Sequence, residues 1–99
     1  MDVKNIEDNL VVVINLLKAL SNEKRLRIVC ALYSGEKCVG ELEKVIDLSQ
    51  SALSQHLARL RRDGVVNTRR DAQTIYYSLN DKATEMILQC LYDIYTPSS

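Results

Sequence analysis

The spacing of apolar positions changes repeatedly along the chain, and each change predicts an element. Ile6, Leu10, Val13, Leu17 and Leu20 alternate steps of four and three, the seam of a helix over about residues 5–20 that packs on another helix. Leu10-Val-Val-Val-Ile14 within it is β-branched and could form a strand, but the length of the surrounding pattern favours helix. Ser21 is the expected cap of a second helix, Asn22 to Ser34, stopped by Gly35. Leu26, Ile28, Val29, Cys30, Leu32 and Tyr33 cover most of its circumference, which predicts a central, buried helix. A short third helix over Val39 to Ile46 turns Leu42, Val45 and Ile46 inward, and Asp47-Leu48-Ser49 is a tight connection to a fourth.

That fourth helix has the clearest boundaries. Ser49 can accept a hydrogen bond from a first-turn amide, and Gly64 can take the left-handed conformation that ends a helix. Between them Leu53, Leu57 and Leu60 make one narrow apolar stripe. After Gly64 the period drops to two. Val65 to Arg69 and Thr74 to Leu79 read as antiparallel strands, Ile75, Tyr77 and Leu79 sharing a face, joined by Arg70-Asp-Ala-Gln73. Asn80-Asp81 caps a last helix, about 81–95, which Pro97 stops; Ala83, Ile87, Leu91 and Ile94, with Leu88, Cys90 and Tyr95 beside them, give it a broad apolar face.

The expected fold is therefore mainly α with a small β-hairpin: four helices, two strands and a fifth helix in one domain spanning residues 1–99. A helix, a short turn and a second capped helix form a helix-turn-helix over about residues 39–63, and the hairpin over about 65–79 is a wing. The first and last helices are too apolar for the outside of a small monomer, so a homodimer through residues 5–20 and 81–95 is expected.

Candidate chemistry follows from the face opposite the leucine stripe. At roughly 100° per residue, Ser51, Gln55, Ala58 and Arg62 lie there, flanked by Ser54 and Arg59. Small side chains let such a helix enter the major groove of double-stranded DNA, and Gln can bond in bidentate fashion to adenine. Arg59 and Arg62, further along, can reach phosphates on the groove wall. A formal net charge of zero argues against nucleic acid only until its distribution is considered. From Arg59 to Arg70 there are five arginines and one acid, Asp63, and the local field steers association more than the total does. A wing tipped with Arg70 and Gln73 would touch the backbone or minor groove beside the helix. The N-terminus has no signal-peptide pattern and no apolar run is long enough to span a membrane. Three cysteines without secretory context read as reduced thiols, so a cytoplasmic protein is expected.

Four segments also carry a resemblance. Lys18-Ala-Leu-Ser-Asn-Glu-Lys-Arg-Leu-Arg-Ile-Val-Cys-Ala-Leu32, Val39-Gly-Glu-Leu42, Leu48-Ser-Gln-Ser-Ala-Leu-Ser-Gln-His-Leu57 and Thr68-Arg-Arg-Asp-Ala-Gln-Thr-Ile-Tyr-Tyr77 together resemble the ArsR/SmtB family of dimeric winged helix-turn-helix transcriptional regulators. The segments from Ser49 and Thr68 are similar to the branch that contains HlyU, BigR and NolR. The resemblance implies DNA contacts from Gln50, Ser51, Ser54, Gln55 and His56 on the helix, and from Arg69, Arg70 and Gln73 on the wing. It also implies effector sites that this chain lacks in part. The arsenic-type Cys-Val-Cys run reads Cys38-Val39-Gly40, and the zinc-type ligands of the last helix reduce to Asp81, Glu85 and Asp93 with no His. With a single His in the chain, no metal and no cofactor are expected. In dithiol sensors of this branch one cysteine matches Cys30, but the second position falls at Thr96, leaving Cys90 as the only thiol on the last helix.

Plainer roles stand beside these. His56, about 60° from the leucine stripe, fits a packing or phosphate-contacting imidazole better than a catalytic or metal-binding one. Cys30 fits a small buried hydrophobe as well as a redox thiol, Cys90 fits dimer-core filler, and Cys38 a bystander. The expected function is a sequence-specific regulator, not an enzyme, that represses from an inverted repeat and is either released by an effector, thiol or sulfide redox chemistry being one candidate, or regulated simply by its abundance. The alternatives are a regulator that displaces another DNA-binding protein, and a winged-helix module that binds protein. An enzyme would need a base beside a nucleophile, and the lone His has neither a Gly-rich loop nor a carboxylate pair around it.

Overall fold

A computed structural model describes residues 1–97. The elements in order are α1 (Lys4–Asp8), α2 (Leu10–Leu20), α3 (Glu23–Tyr33), β1 (Lys37–Cys38), α4 (Val39–Val45), α5 (Gln50–Arg62), β2 (Val66–Asp71), β3 (Thr74–Leu79) and α6 (Lys82–Tyr95). The helices and hairpin expected from the pattern are present, with differences that each have a local cause.

The first helix is interrupted at Asn9. Its side-chain Nδ2 donates to the Asn5 carbonyl at 2.7 Å, the acceptor that the Asn9 amide would use in a continuous helix, and that amide turns to Ile6 O at 3.1 Å. An asparagine that bonds to nearby backbone in this way competes with the helix ladder. The next helix starts one residue later than expected, because Asn22 rather than Ser21 is its cap: Asn22 Oδ1 accepts from the amides of Lys24 and Arg25 at 3.0 and 3.1 Å. Helix α3 is central but not buried all round. Ile28, Val29 and Leu32 face the core, whereas Tyr33 and Cys30 are exposed, so Cys30 is not the buried hydrophobe it resembled. Cys90 is exposed as well, and Val45, expected to point inward, is exposed.

The hairpin belongs to a three-stranded antiparallel sheet of order β1-β3-β2, its short outer strand β1 (Lys37 opposite Tyr77, Cys38 opposite Tyr76) too brief to give a period-two signal. Pairing in the wing runs from Val66 opposite Leu79 to Asp71 opposite Thr74, so β3 has the expected bounds while β2 runs two residues further than expected, and the turn shortens to Ala72-Gln73. Ala72 adopts φ +57°, a left-handed conformation that is uncommon for a residue with a side chain.

The core joins Ala19 and Leu20 to α3, Leu42 and Ile46, the α5 stripe, Val65, Val66 and Leu88. Leu53, Leu57 and Leu60 are fully buried, each contributing about 1.5–3 kcal/mol by area transfer. This anchors one side of α5 and leaves the other in solvent.

Candidate nucleic-acid interface

Helix α5 is fixed at both ends. At its start Ser49 Oγ accepts from the Ala52 amide at 3.1 Å. At its end the Val65 amide bonds to Leu60 O at 2.9 Å and the Gly64 amide to Arg61 O at 3.1 Å, with Gly64 at φ +75°. These two bonds make a Schellman motif, which satisfies carbonyls that the helix would otherwise leave open. Asn80 then ties the wing to this end, its Nδ2 donating to Gly64 O and its amide to Val65 O, both at 2.9 Å. Helix α4 and the four residues 46–49 hold the start of α5, and Lys24 Nζ donates to Asp47 O within that turn at 3.2 Å. Helix α5 and the wing are thus braced as one unit.

Gln50, Ser51, Ser54 and Gln55 are all exposed on α5, and so is Arg62. Amide and hydroxyl groups with no side-chain partner here are free to make directional bonds to another surface. His56 is half-buried at the edge of the face. Burial first, and then the Arg25 guanidinium nearby, hold its pKa below the ordinary imidazole range. Both causes favour the neutral imidazole, which offers a hydrogen bond, over the charged form.

The arginines divide into two kinds. Arg59, half-buried, donates from Nε to Asp63 Oδ2 at 2.8 Å, and this bond holds the Asp63 carboxyl below its usual range. Arg62 lies 3.5 Å from the other oxygen of Asp63. Arg69 is likewise engaged, donating from Nε at 3.2 Å and from Nη2 to the two oxygens of Glu36. Arg61 and Arg70 have no carboxylate within ion-pairing distance among the described residues. Arg61, which the face-by-face reading passed over, lies seven residues after Ser54, so it shares that side of α5. On the wing Arg69 and Arg70 point to opposite faces of β2. Gln73, exposed at the tip, lines a shallow groove with Cys38, Val39 and Gly40 at the start of α4.

The two cysteines considered for redox chemistry are both free thiols and line different grooves. Cys30 lines a groove between α3 and α6 with Tyr33, Leu88 and Tyr92, where burial pushes its thiol pKa up and Arg27 partly offsets this. Cys90 lies roughly 200° round α6 from Leu88 and lines a separate surface with Met86, Asp93 and Ile94. No group of three or more His, Cys, Asp or Glu among the described residues is placed to hold a metal ion. No helix among them is long and apolar enough to cross a membrane.

Comparisons with known proteins agree with this geometry. The family profile described as bacterial regulatory protein, arsR family, matches residues 22–68, which run from the cap of α3 into the wing. The transcriptional activator HlyU of Vibrio cholerae is 48% identical over 95 residues, covering 96% of this chain and 88% of that protein. The solved structure of HlyU from Vibrio cholerae N16961 superposes with a TM-score of 0.86 at 49% identity, over 92% of this chain and 99% of that one. The transcriptional repressor BigR from Xylella fastidiosa superposes with a TM-score of 0.91 at 41% identity, over 99% of this chain and the whole of that one.

Proposed function

Because the chain belongs to the arsR family of bacterial regulatory proteins and is a winged-helix, DNA-binding transcriptional regulator, we propose that it acts as a homodimeric repressor that occupies an inverted repeat. The observation that carries this reading is the exposed face Gln50, Ser51, Ser54 and Gln55 on a helix braced directly to an arginine-bearing wing. Gln55, aided by Gln50, Ser51 and Ser54, reads base edges in the major groove. His56 donates to or accepts from the groove wall. Arg70 and Gln73 hold the backbone, and Arg59, Arg62 and Arg69 join them when released from their carboxylates. Two α5 helices related by a twofold axis would enter successive major grooves.

The similarity to a protein named as an activator favours a second reading, in which the same binding raises transcription by displacing another protein from the promoter. An in-vitro transcription assay on the bound promoter, with no other regulator present, separates the two: repression by the purified chain alone supports the first. No change until a competing DNA-binding protein is added supports the second.

The site assignment has its own test. Gln55→Ala should weaken cognate binding by about 1–3 kcal/mol and reduce discrimination against altered half-sites. Arg70→Ala should weaken cognate and random duplex alike and lower the salt slope by about one. Equal losses on cognate and random DNA for both variants would show that α5 is not the reader.

A further inference from the structure

The wing presents its two adjacent arginines in different states. Arg69 reaches across the central strand β3, its guanidinium carbon 4.6 Å from the centre of the Tyr76 ring, to meet Glu36 just before β1. Two N–H groups meet two carboxylate oxygens, the planar fork that arginine also uses on a phosphate. The side chains are 53% and 42% exposed, so the pair is open to exchange with another anion. Arg70 has no such partner among the described residues.

We propose that Glu36 is an internal stand-in for a DNA phosphate, competing for Arg69 and thereby limiting how tightly the wing holds any duplex. Tyr76 keeps the released guanidinium over the sheet, so exchange of one oxyanion for another needs only a side-chain movement. The proposal rests on the wing contacting DNA and adds to that reading a residue that sets the strength of the contact.

The test measures binding of the full-length chain to its operator and to a random duplex over a range of salt, for wild type, Glu36→Gln, Arg69→Ala and the double variant. Glu36→Gln should tighten both complexes by about two- to tenfold, the scale of an exposed ion pair plus a removed negative charge. It should also steepen the salt dependence by up to about 0.9, the value of one further phosphate contact. Most of that gain should vanish in the Arg69→Ala background. Glu36→Gln binding like wild type or more weakly, with thermal melting unchanged, would overturn the proposal, as would a gain that survives without Arg69. If wild type binds no duplex at low salt, it is the functional reading that fails. If wild type binds and Arg70→Ala weakens both complexes but Glu36→Gln leaves them unchanged, wing contact stands and the competition by Glu36 is what fails.

Discussion

His56 is the chain's only histidine, and its surroundings decide what it can contribute. It sits on α5 near Arg25 of α3, whose Nε and Nη2 donate to the Ala19 and Lys18 carbonyls at 2.7 and 3.2 Å and so close the end of α2. Arg59 and Asp63 act on the same guanidinium with opposite signs. Burial is the larger cause of the lowered His56 pKa, and the Arg25 charge acts in the same direction. In the unfolded chain this imidazole takes its proton near pH 6.5, while in the folded chain it does so lower. Between those values the unfolded state binds more protons, so the contribution to stability is complete above about pH 6.5 and is lost as pH falls through the folded value. A proton NMR titration of the single imidazole should give a midpoint below about 6.5; one at or above it would refute this account. His56→Asn should flatten the dependence of stability on pH over that interval. The sequence placed His56 at the edge of the core from its angle alone, but could not supply Arg25, which comes from another helix.

The elements that the sequence marked most plainly are those whose signals are local. Helix α5 has its cap, its leucine stripe and its glycine in one stretch, and all three act as expected. What was not legible depends on partners distant in sequence. Strand β1 exists only because β3 offers it an edge, and the engagement of Arg69 requires Glu36, 33 residues away. The exposure of Cys30 depends on where α6 docks, which periodicity on α3 cannot reveal. The break at Asn9 is local, but the four-and-three seam runs straight through it and hides it. Gly64 shows what one local signal is worth. Nothing lies within 4 Å of where its Cβ would be, so space is not the constraint; φ +75° is. Gly64→Ala should therefore cost about 1–2 kcal/mol, the left-handed penalty for a residue with a side chain, measured by urea denaturation. Because Asn80 holds the wing through the same residue's carbonyl, affinity for DNA should fall further than the stability loss alone explains. A variant as stable as wild type would show that the motif tolerates a different local backbone.

At the scale of the whole molecule the chain is more extended, and more apolar outside, than a compact monomer of its length. Its radius of gyration is 14.6 Å, against about 12.6 Å for a compact domain of this length. Its accessible surface is 7106 Å², whereas a compact monomer of 11.2 kDa exposes about 5,700 Å². The excess of about 1,400 Å² is larger than the roughly 800 Å² that each partner buries in an ordinary stable interface. Apolar side chains account for much of what is uncovered on two elements: Leu10, Val11, Val12, Ile14 and Leu17 on α2, and Met86, Leu91, Tyr92, Ile94 and Tyr95 on α6. These helices are separate elements from α5, so a twofold contact through them would leave the exposed face of α5 free. The expected state is a homodimer whose α5 helices enter major grooves about 34–36 Å apart. Leu17→Glu tests it, since Leu17 is 49% exposed and its replacement leaves the packed core untouched. Light scattering should show a dimer for wild type and a monomer for the variant. Footprinting should show two half-sites about one helical turn apart for wild type, and the variant should lose most of its affinity because each monomer holds only one half-site. A Leu17→Glu chain that stays dimeric and binds as wild type does would move the interface away from α2, and a wild-type monomer protecting a single half-site would remove it altogether.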